Sequence, residues 1–370
     1  MKPKIIANYL PQFHDVSENN ERRGEWFTEW SNVRKAKPLF NWHNQPRVPL
    51  NWNYYNILDP EVRKRQGQIA KEYWIDWFCY YHYWFKWWKL LLEKPTELML
   101  QDGYPDIPFC FSRWNGSWAR TREWQPEQIL MLQEYWDEKE REDHFNYLLP
   151  FFQSPLYIRK NNKPVFLIHY SKHMQDVIDQ MIKKRNDLAQ KNWIDWMYIV
   201  ETISSAQWQT YSPLSSAVLE FQPLHSIRNV FSFWYIKNII KHGINRLWKY
   251  IIKRWLLINR VSYENTRKII CNRDPRNNSL YKGKDIILWW FIGRDNSPRK
   301  GKDSLIMNYS TPKKFEKYFS KYYKKAKSKN VDFIFLNARN EWAEWAYLEP
   351  DTLHKFWYLE AIKKIIYNNK

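Results

Sequence analysis

Two glutamates three residues apart, Glu341 and Glu344, lie in the segment NARNEWAE (337–344) near the end of a 370-residue chain. Two close carboxylates resist being charged together. One therefore keeps its proton toward neutral pH and can act as a general acid while the other is ionised. Beside aromatic and amide side chains, such a pair suits the making or breaking of a glycosidic bond. Trp342 between them offers a ring on which a sugar can stack, and Asn340 before them an amide for its hydroxyls. If the turn holding them is helical, both carboxylates share a face. The pattern E-x-x-E is common, and two glutamates opening a solvated helix near its positive dipole end read the same way.

Other candidates stand at the ends of apolar runs. Tyr9 and His14 follow the first, Tyr81, His82 and Trp84 close the second, Asn115 and Trp118 follow the third, and Glu201 ends the fifth. Glu29 and Trp30 either line a pocket from the first loop or simply open a helix. His14 and His82 are of the type that moves protons near neutral pH, although a histidine in an aromatic strand is as often a wall residue. No HExxH, CxxC or Ser-His-Asp pattern supports a metalloprotease or a serine hydrolase, and neither metal nor cofactor is expected. Three cysteines are too few for a disulfide scaffold, and Cys79 and Cys110 sit within apolar runs as small hydrophobes do.

Eight short apolar runs must position these residues: 4–10, 75–83, 107–112, 164–170, 197–202, 217–222, 286–292 and 332–338. Near-continuous apolarity marks parallel strands buried on both faces. Helical patterns lie between them at 59–73, 138–152, 172–191, 311–329 and 352–367, the first with Asp then Pro at its start. The alternation predicts a single (β/α)8 barrel over residues 1–370. A doubly wound sheet is the alternative, but no glycine-rich phosphate loop follows the first run.

Residues 226–282 interrupt the pattern between the sixth and seventh strands with 13 Lys+Arg against Glu264 and Asp274. They read as a basic amphipathic helix pair. It either attaches to an anionic membrane surface or packs its apolar side on the barrel, and the second is favoured. The N-terminal apolar stretch is too short for a signal peptide, and no run of apolar residues is long enough to span a bilayer. The expectation is a cytoplasmic protein. The net charge of +20 raises nucleic-acid binding, but no such module is recognisable and none is expected.

Several longer motifs are shared with one family: YLPQFH (9–14), FTEWSNV (27–33), KPLF (37–40), DPEV (59–62), FCYYHYWF (78–85), DNSPR (295–299), NEWAE (340–344) and AYLEPD (346–351). With them the chain resembles the WbsX-type glycosyltransferases, themselves similar to the endo-α-mannosidases and endo-α-mannanases of glycoside hydrolase family 99. The resemblance implies a (β/α)8 barrel that builds or trims cell-surface polysaccharide such as O-antigen, with a glycan as partner. It further implies that Glu341 acts as base on the substrate's 2-hydroxyl, giving a 1,2-anhydro sugar. Glu344 then protonates the leaving oxygen and activates the acceptor.

Against that pattern the departures are systematic. Glycine is only 8 of 370 residues and tryptophan is 24, where glycine usually makes up about 7%. The family pattern has glycine at Trp26, Trp42, Trp74, Trp77, Trp87, Trp124, Trp193, Trp196, Trp345 and Trp357. It has tryptophan at Arg23, Arg113, Arg294 and Arg339. The repeat WIDW at 74–77 and 193–196 falls between a helix and a strand, where a left-handed glycine cap is wanted. These departures lead to the expectation that UGA codons meaning glycine, and some CGN codons meaning tryptophan, have been rendered by the standard code. A divergent, inactive, sugar-binding homologue is the alternative.

Overall fold

A computed structural model describes residues 2–18, 24–120, 128–135, 137–204, 211–230 and 259–369. Eight strands close a parallel barrel: β1 Lys4–Tyr9, β2 Trp77–Phe85, β3 Phe109–Arg113, β4 Lys163–His169, β5 Tyr198–Ile203, β6 Ala217–Glu220, β7 Asp285–Phe291 and β8 Phe333–Asn337. Each pairs in parallel with the next, and β8 closes on β1 with Lys4 opposite Phe333 and Ala7 opposite Leu336. All eight apolar runs became strands, because only a strand covered on both faces tolerates so few polar residues. In β2 every residue after Trp77 is buried.

Helices cover the barrel, and three start where their capping residues say. Asp59 accepts from the Glu61 amide ahead of α1 (Pro60–Glu72). Asp137 accepts from the Lys139 and Glu140 amides ahead of α2 (Glu138–Gln153). Thr311 accepts from the Lys314 amide ahead of α5 (Pro312–Ser328). Two predicted helices are shorter than expected. The pattern at 172–191 splits into a 3-10 turn, Ser171–Met174, and α3, Ile178–Lys191. The last helix, α6, spans Trp357–Tyr367.

Of the basic stretch 226–282, residues 231–258 lie outside those described. Residues 259–282 differ from a helix pair. Strand Asn259–Ser262 pairs in parallel with Leu305–Asn308. It leads into α4, Tyr263–Asn272, which buries Tyr263, Thr266, Arg267, Ile270 and Cys271. The Tyr318 hydroxyl of α5 donates to Glu264 at 2.9 Å, so α4 belongs to the helical coat between β6 and β7. Among the described residues no helix is long and apolar enough to cross a membrane.

Strand parity decides which side chains serve the barrel mouth. In β2, His82 and Trp84 lie against His144 of α2, at ring distances of 5.0 and 4.8 Å. Tyr81 and Tyr83 alternate with them and take the other face, where Tyr81 meets the His169 ring edge-on at 5.8 Å.

Candidate active site

The segment after β8 turns sharply. Asn340 and Glu341 pair antiparallel with Tyr347 and Ala346, and Trp342–Glu344 form a single 3-10 turn between them. The two glutamates therefore stand at either end of a tight turn, not on one face of an α-helix. Asn340 fixes the turn to the end of β1. Its amide oxygen accepts from Leu10 N and its NH2 donates to Leu10 O, both at 2.9 Å. Trp342 anchors the turn from beneath. Its indole N–H donates to Glu349 at 2.7 Å, and its ring stacks on Tyr347 at 3.8 Å. It is 1% exposed, so its ring supports the turn and offers no face to a sugar.

Arginines organise the acids. Arg299 donates to Glu344 at 2.9 Å and to Glu29 at 2.6 Å, and reaches Gln12 at 3.4 Å. Arg294 donates to the other oxygen of Glu344 at 2.5 Å. Glu29 opens the short helix Glu29–Lys35 in the connection after β1 and is thus joined to the last loop. Trp30 beside it holds the wall through its N–H to Tyr55 O at 2.9 Å and a 5.5 Å contact with Trp342.

The two glutamates differ in their affinity for a proton. Burial, then the charge of Glu344, lifts Glu341 to about 8. Burial would lift Glu344 too, but Arg294 and Arg299 outweigh it and hold its carboxyl below the ordinary range. At neutral pH Glu341 keeps its proton and Glu344 is ionised. Burial followed by the charge of Glu341 also raises the Tyr81 hydroxyl, which places that phenol near the pair.

Other residues singled out in the sequence lie elsewhere. Tyr9 donates to Gln66 of α1 at 2.5 Å. His82 contacts His144 through their Nε2 atoms at 2.8 Å, and burial, with Arg113 and Arg185 nearby, drops it to about 3. Trp84 faces the same helix. His14 is buried and held down to about 4 by burial and then Lys94. Asn115 spends its NH2 on His169 O at 2.7 Å. Glu201 accepts from the Ser212 amide at 2.9 Å. The strand Trp118–Arg120 begins at Trp118, whose side chain lies outside the described residues.

Three neighbours of the pair were not among the candidate site residues, although Arg294 was noted as a departure from the family pattern. Arg299 ends the DNSPR motif, Arg294 precedes it, and Tyr83 shares the parity of Tyr81. In the same motif, Asp295 accepts from His43 at 2.9 Å and Gln45 at 2.7 Å. Burial opposes its charge, yet the His43 hydrogen bond and Arg47 bring it down to about 2. A basic residue beside a loop motif was the available signal, but its partners lie 45 and 270 positions away.

The sequence pattern of the family described as "Glycosyltransferase WbsX" matches residues 5–362. The chain belongs to this family. The uncharacterized protein WxcX of Xanthomonas campestris pv. campestris, in strains ATCC 33913 and B100, is 26% identical over 366 residues, 98% of this chain and 49% of its own length. The chain thus spans about half the length of the curated relatives it matches. Among solved structures, a glycoside hydrolase-like protein superposes with a TM-score of 0.57 at 13% identity, covering 99% of this chain and 94% of that one. A GH99 endo-alpha-mannosidase from Bacteroides thetaiotaomicron, in complex with bis-tris propane, gives 0.57 at 12%, covering 99% and 96%. These likenesses concern the barrel. The family match makes this chain a WbsX-type protein, and the likenesses show its fold.

Proposed function

We propose that the chain transfers or cleaves α-linked, mannose-like residues during assembly of a cell-surface polysaccharide such as O-antigen or lipopolysaccharide. The reaction proceeds with retention at the Glu341–Glu344 pair. The observation that carries this reading is the turn after β8. It sets two carboxylates with divergent proton affinity at the barrel mouth, and Arg299 ties one of them to Glu29 in the neighbouring loop after β1. In this reading Glu341 takes the 2-hydroxyl proton as that oxygen closes on the anomeric carbon. The anomeric bond to the leaving oxygen breaks, and Glu344 gives that oxygen its proton. Water or an acceptor hydroxyl then opens the 1,2-anhydro ring, with Glu344 taking its proton and Glu341 returning one to O2.

These roles need the proton on Glu344, while Arg294 and Arg299 keep it on Glu341. The specific obstacle is Arg294, bonded to Glu344 at 2.5 Å. It favours a second reading for the chain as written, a sugar-binding barrel without turnover. The protein would work at the cytoplasmic side. One experiment separates the readings. The protein is incubated with α-mannan oligosaccharides and, separately, with nucleotide sugars plus acceptor. Products are followed by NMR beside Glu344→Gln. Cleavage lost in the variant identifies a retaining endo-glycosidase, and nucleotide release with chain extension identifies a transferase. Glycan binding without products in either arm leaves the binding barrel.

A further inference from the structure

Eight tryptophans hold a left-handed backbone: Trp26, Trp42, Trp52, Trp74, Trp87, Trp88, Trp193 and Trp345, with φ between 50° and 68°. In that conformation an L-residue presses its Cβ toward the following carbonyl oxygen, and glycine alone escapes the clash. Bulk and aromaticity do not draw residues there. The chain has 25 tyrosines and 20 phenylalanines, and among the described ones only Tyr170 and Tyr309 share this backbone.

Five buried tryptophans keep an ordinary backbone. Trp30, Trp84, Trp289, Trp290 and Trp342 are at most 4% exposed and have no positive φ. Of the left-handed set, Trp26 is 78% exposed, Trp42 100%, Trp87 68% and Trp193 98%, whereas Trp345 is buried at 7%. An indole facing water from a strained turn gains no burial to offset the strain.

Two of the turns show what the position requires. After α1, Trp74 N donates to Lys71 O at 3.3 Å and Ile75 N to Ala70 O at 2.9 Å. After α3, Trp193 N donates to Gln190 O at 3.2 Å and Ile194 N to Ala189 O at 2.9 Å. Both are Schellman caps with tryptophan at the left-handed C′ position, which is normally glycine. The chain supplies its own controls. The same cap after α5 uses Asn330, whose N donates to Lys327 O while Val331 N donates to Ala326 O. Helix Lys94–Asp102 ends on Gly103 at φ 75°. Trp74 and Trp193 also lie just before β2 and β5, at the end of the barrel opposite the carboxylate pair, so they are no part of a sugar platform there.

We propose that these eight positions are glycine in the protein as its source cell makes it, the codons behind them being UGA read as glycine. Six of them are among the ten expected from the family pattern, and the backbone adds Trp52 and Trp88. It gives no reason for glycine at Trp77, Trp196 or Trp357. At the barrel mouth the change removes an indole that stacks under Arg47 at 3.8 Å and crowds Gly293 immediately after Glu344.

The gene is the first check. UGA at the eight positions and UGG at Trp30, Trp289, Trp290 and Trp342 is expected, and UGG throughout overturns the proposal. Tandem mass spectrometry of protein purified from the source cell then reads residues 74, 193 and 345 directly. Glycine supports the assignment and tryptophan overturns it. Finally, a recombinant protein with all eight Trp→Gly changes is compared with the chain as written. Relief of strain at eight left-handed positions should raise Tm by roughly 5–10 °C, and an equal or lower Tm overturns the structural argument.

Discussion

Two stretches of the barrel mouth each bury a glutamate, and they use it differently. At the end of β5, Glu201 is 1% exposed and its carboxylate receives the Ser212 amide, with Ser171 and Ser215 also bonding it. After β8, Glu341 is 7% exposed, and among the described residues no hydrogen bond reaches its carboxyl. A carboxylate whose oxygens are saturated by fixed donors holds a loop. One that is desolvated, unbonded and beside another carboxylate has its lone pairs and its proton available. Burial alone marks neither as reactive; what bonds the oxygens does.

The strongest way to break this contrast is to neutralise each glutamate in turn. Glu341→Gln and Glu344→Gln should each lower kcat by roughly 100- to 10,000-fold, the usual scale for a lost acid or base, on the substrate that the product assay identifies. Glu201→Gln should leave kcat within about threefold. A comparable loss at Glu201 would erase the distinction. Arg299→Met comes next. It severs Glu344 from Glu29, and kcat/KM should fall roughly 10- to 100-fold from lost positioning.

Arg294→Trp sharpens the comparison from the other side. Removing a cation bonded to Glu344 raises that group's proton affinity, so that the pair holds its proton more often on Glu344 and less on Glu341. The acid limb of the pH–rate profile should move up by about one unit, and turnover at pH 7 should increase. A profile unchanged by the substitution would show that Arg294 does not set the proton's place. For Glu201, Ala in place of Glu should cost structure, lowering Tm by roughly 2–5 °C through unpaired Ser212 and Ser215 groups.

The smallest effect is a stability difference with a definite sign. The Glu341 carboxyl titrates higher in the folded protein, about 8, than in the unfolded chain. Folding therefore favours its protonated form. The fold bears a growing penalty as pH rises from the unfolded value to about 8, and no penalty in acid. Glu341→Gln should accordingly match the parent in Tm at pH 4 and exceed it at pH 9 by roughly 2–4 °C.

The barrel was legible because strands covered on both faces can be written only in apolar residues, and because Asp59 and Thr311 cap their helices by a local rule. The same apolarity hid strand parity. Tyr81, His82, Tyr83 and Trp84 are all buried, so nothing in their pattern says that His82 and Trp84 turn to α2 while Tyr81 turns to the mouth. The two glutamates drew notice through the family motif, since their spacing alone reads equally as a solvated helix start. The electrostatics of the pair was not legible, since Arg294 and Arg299 reach Glu344 across 50 and 45 residues. Trp342 is polar enough at one edge to pass for a sugar platform. Only its bond to Glu349 and its stack on Tyr347 reveal a support.

The clamp of Asn340 on Leu10, together with the pairing of β8 on β1, has a consequence for synthesis. The first strand leaves the ribosome without its second neighbour and waits for residues 333–337. The carboxylate pair and the clamp that holds it arrive just behind that closing strand. A nascent chain stalled before residue 333 therefore has an open sheet edge along β1 and lacks the Glu341–Glu344 pair altogether.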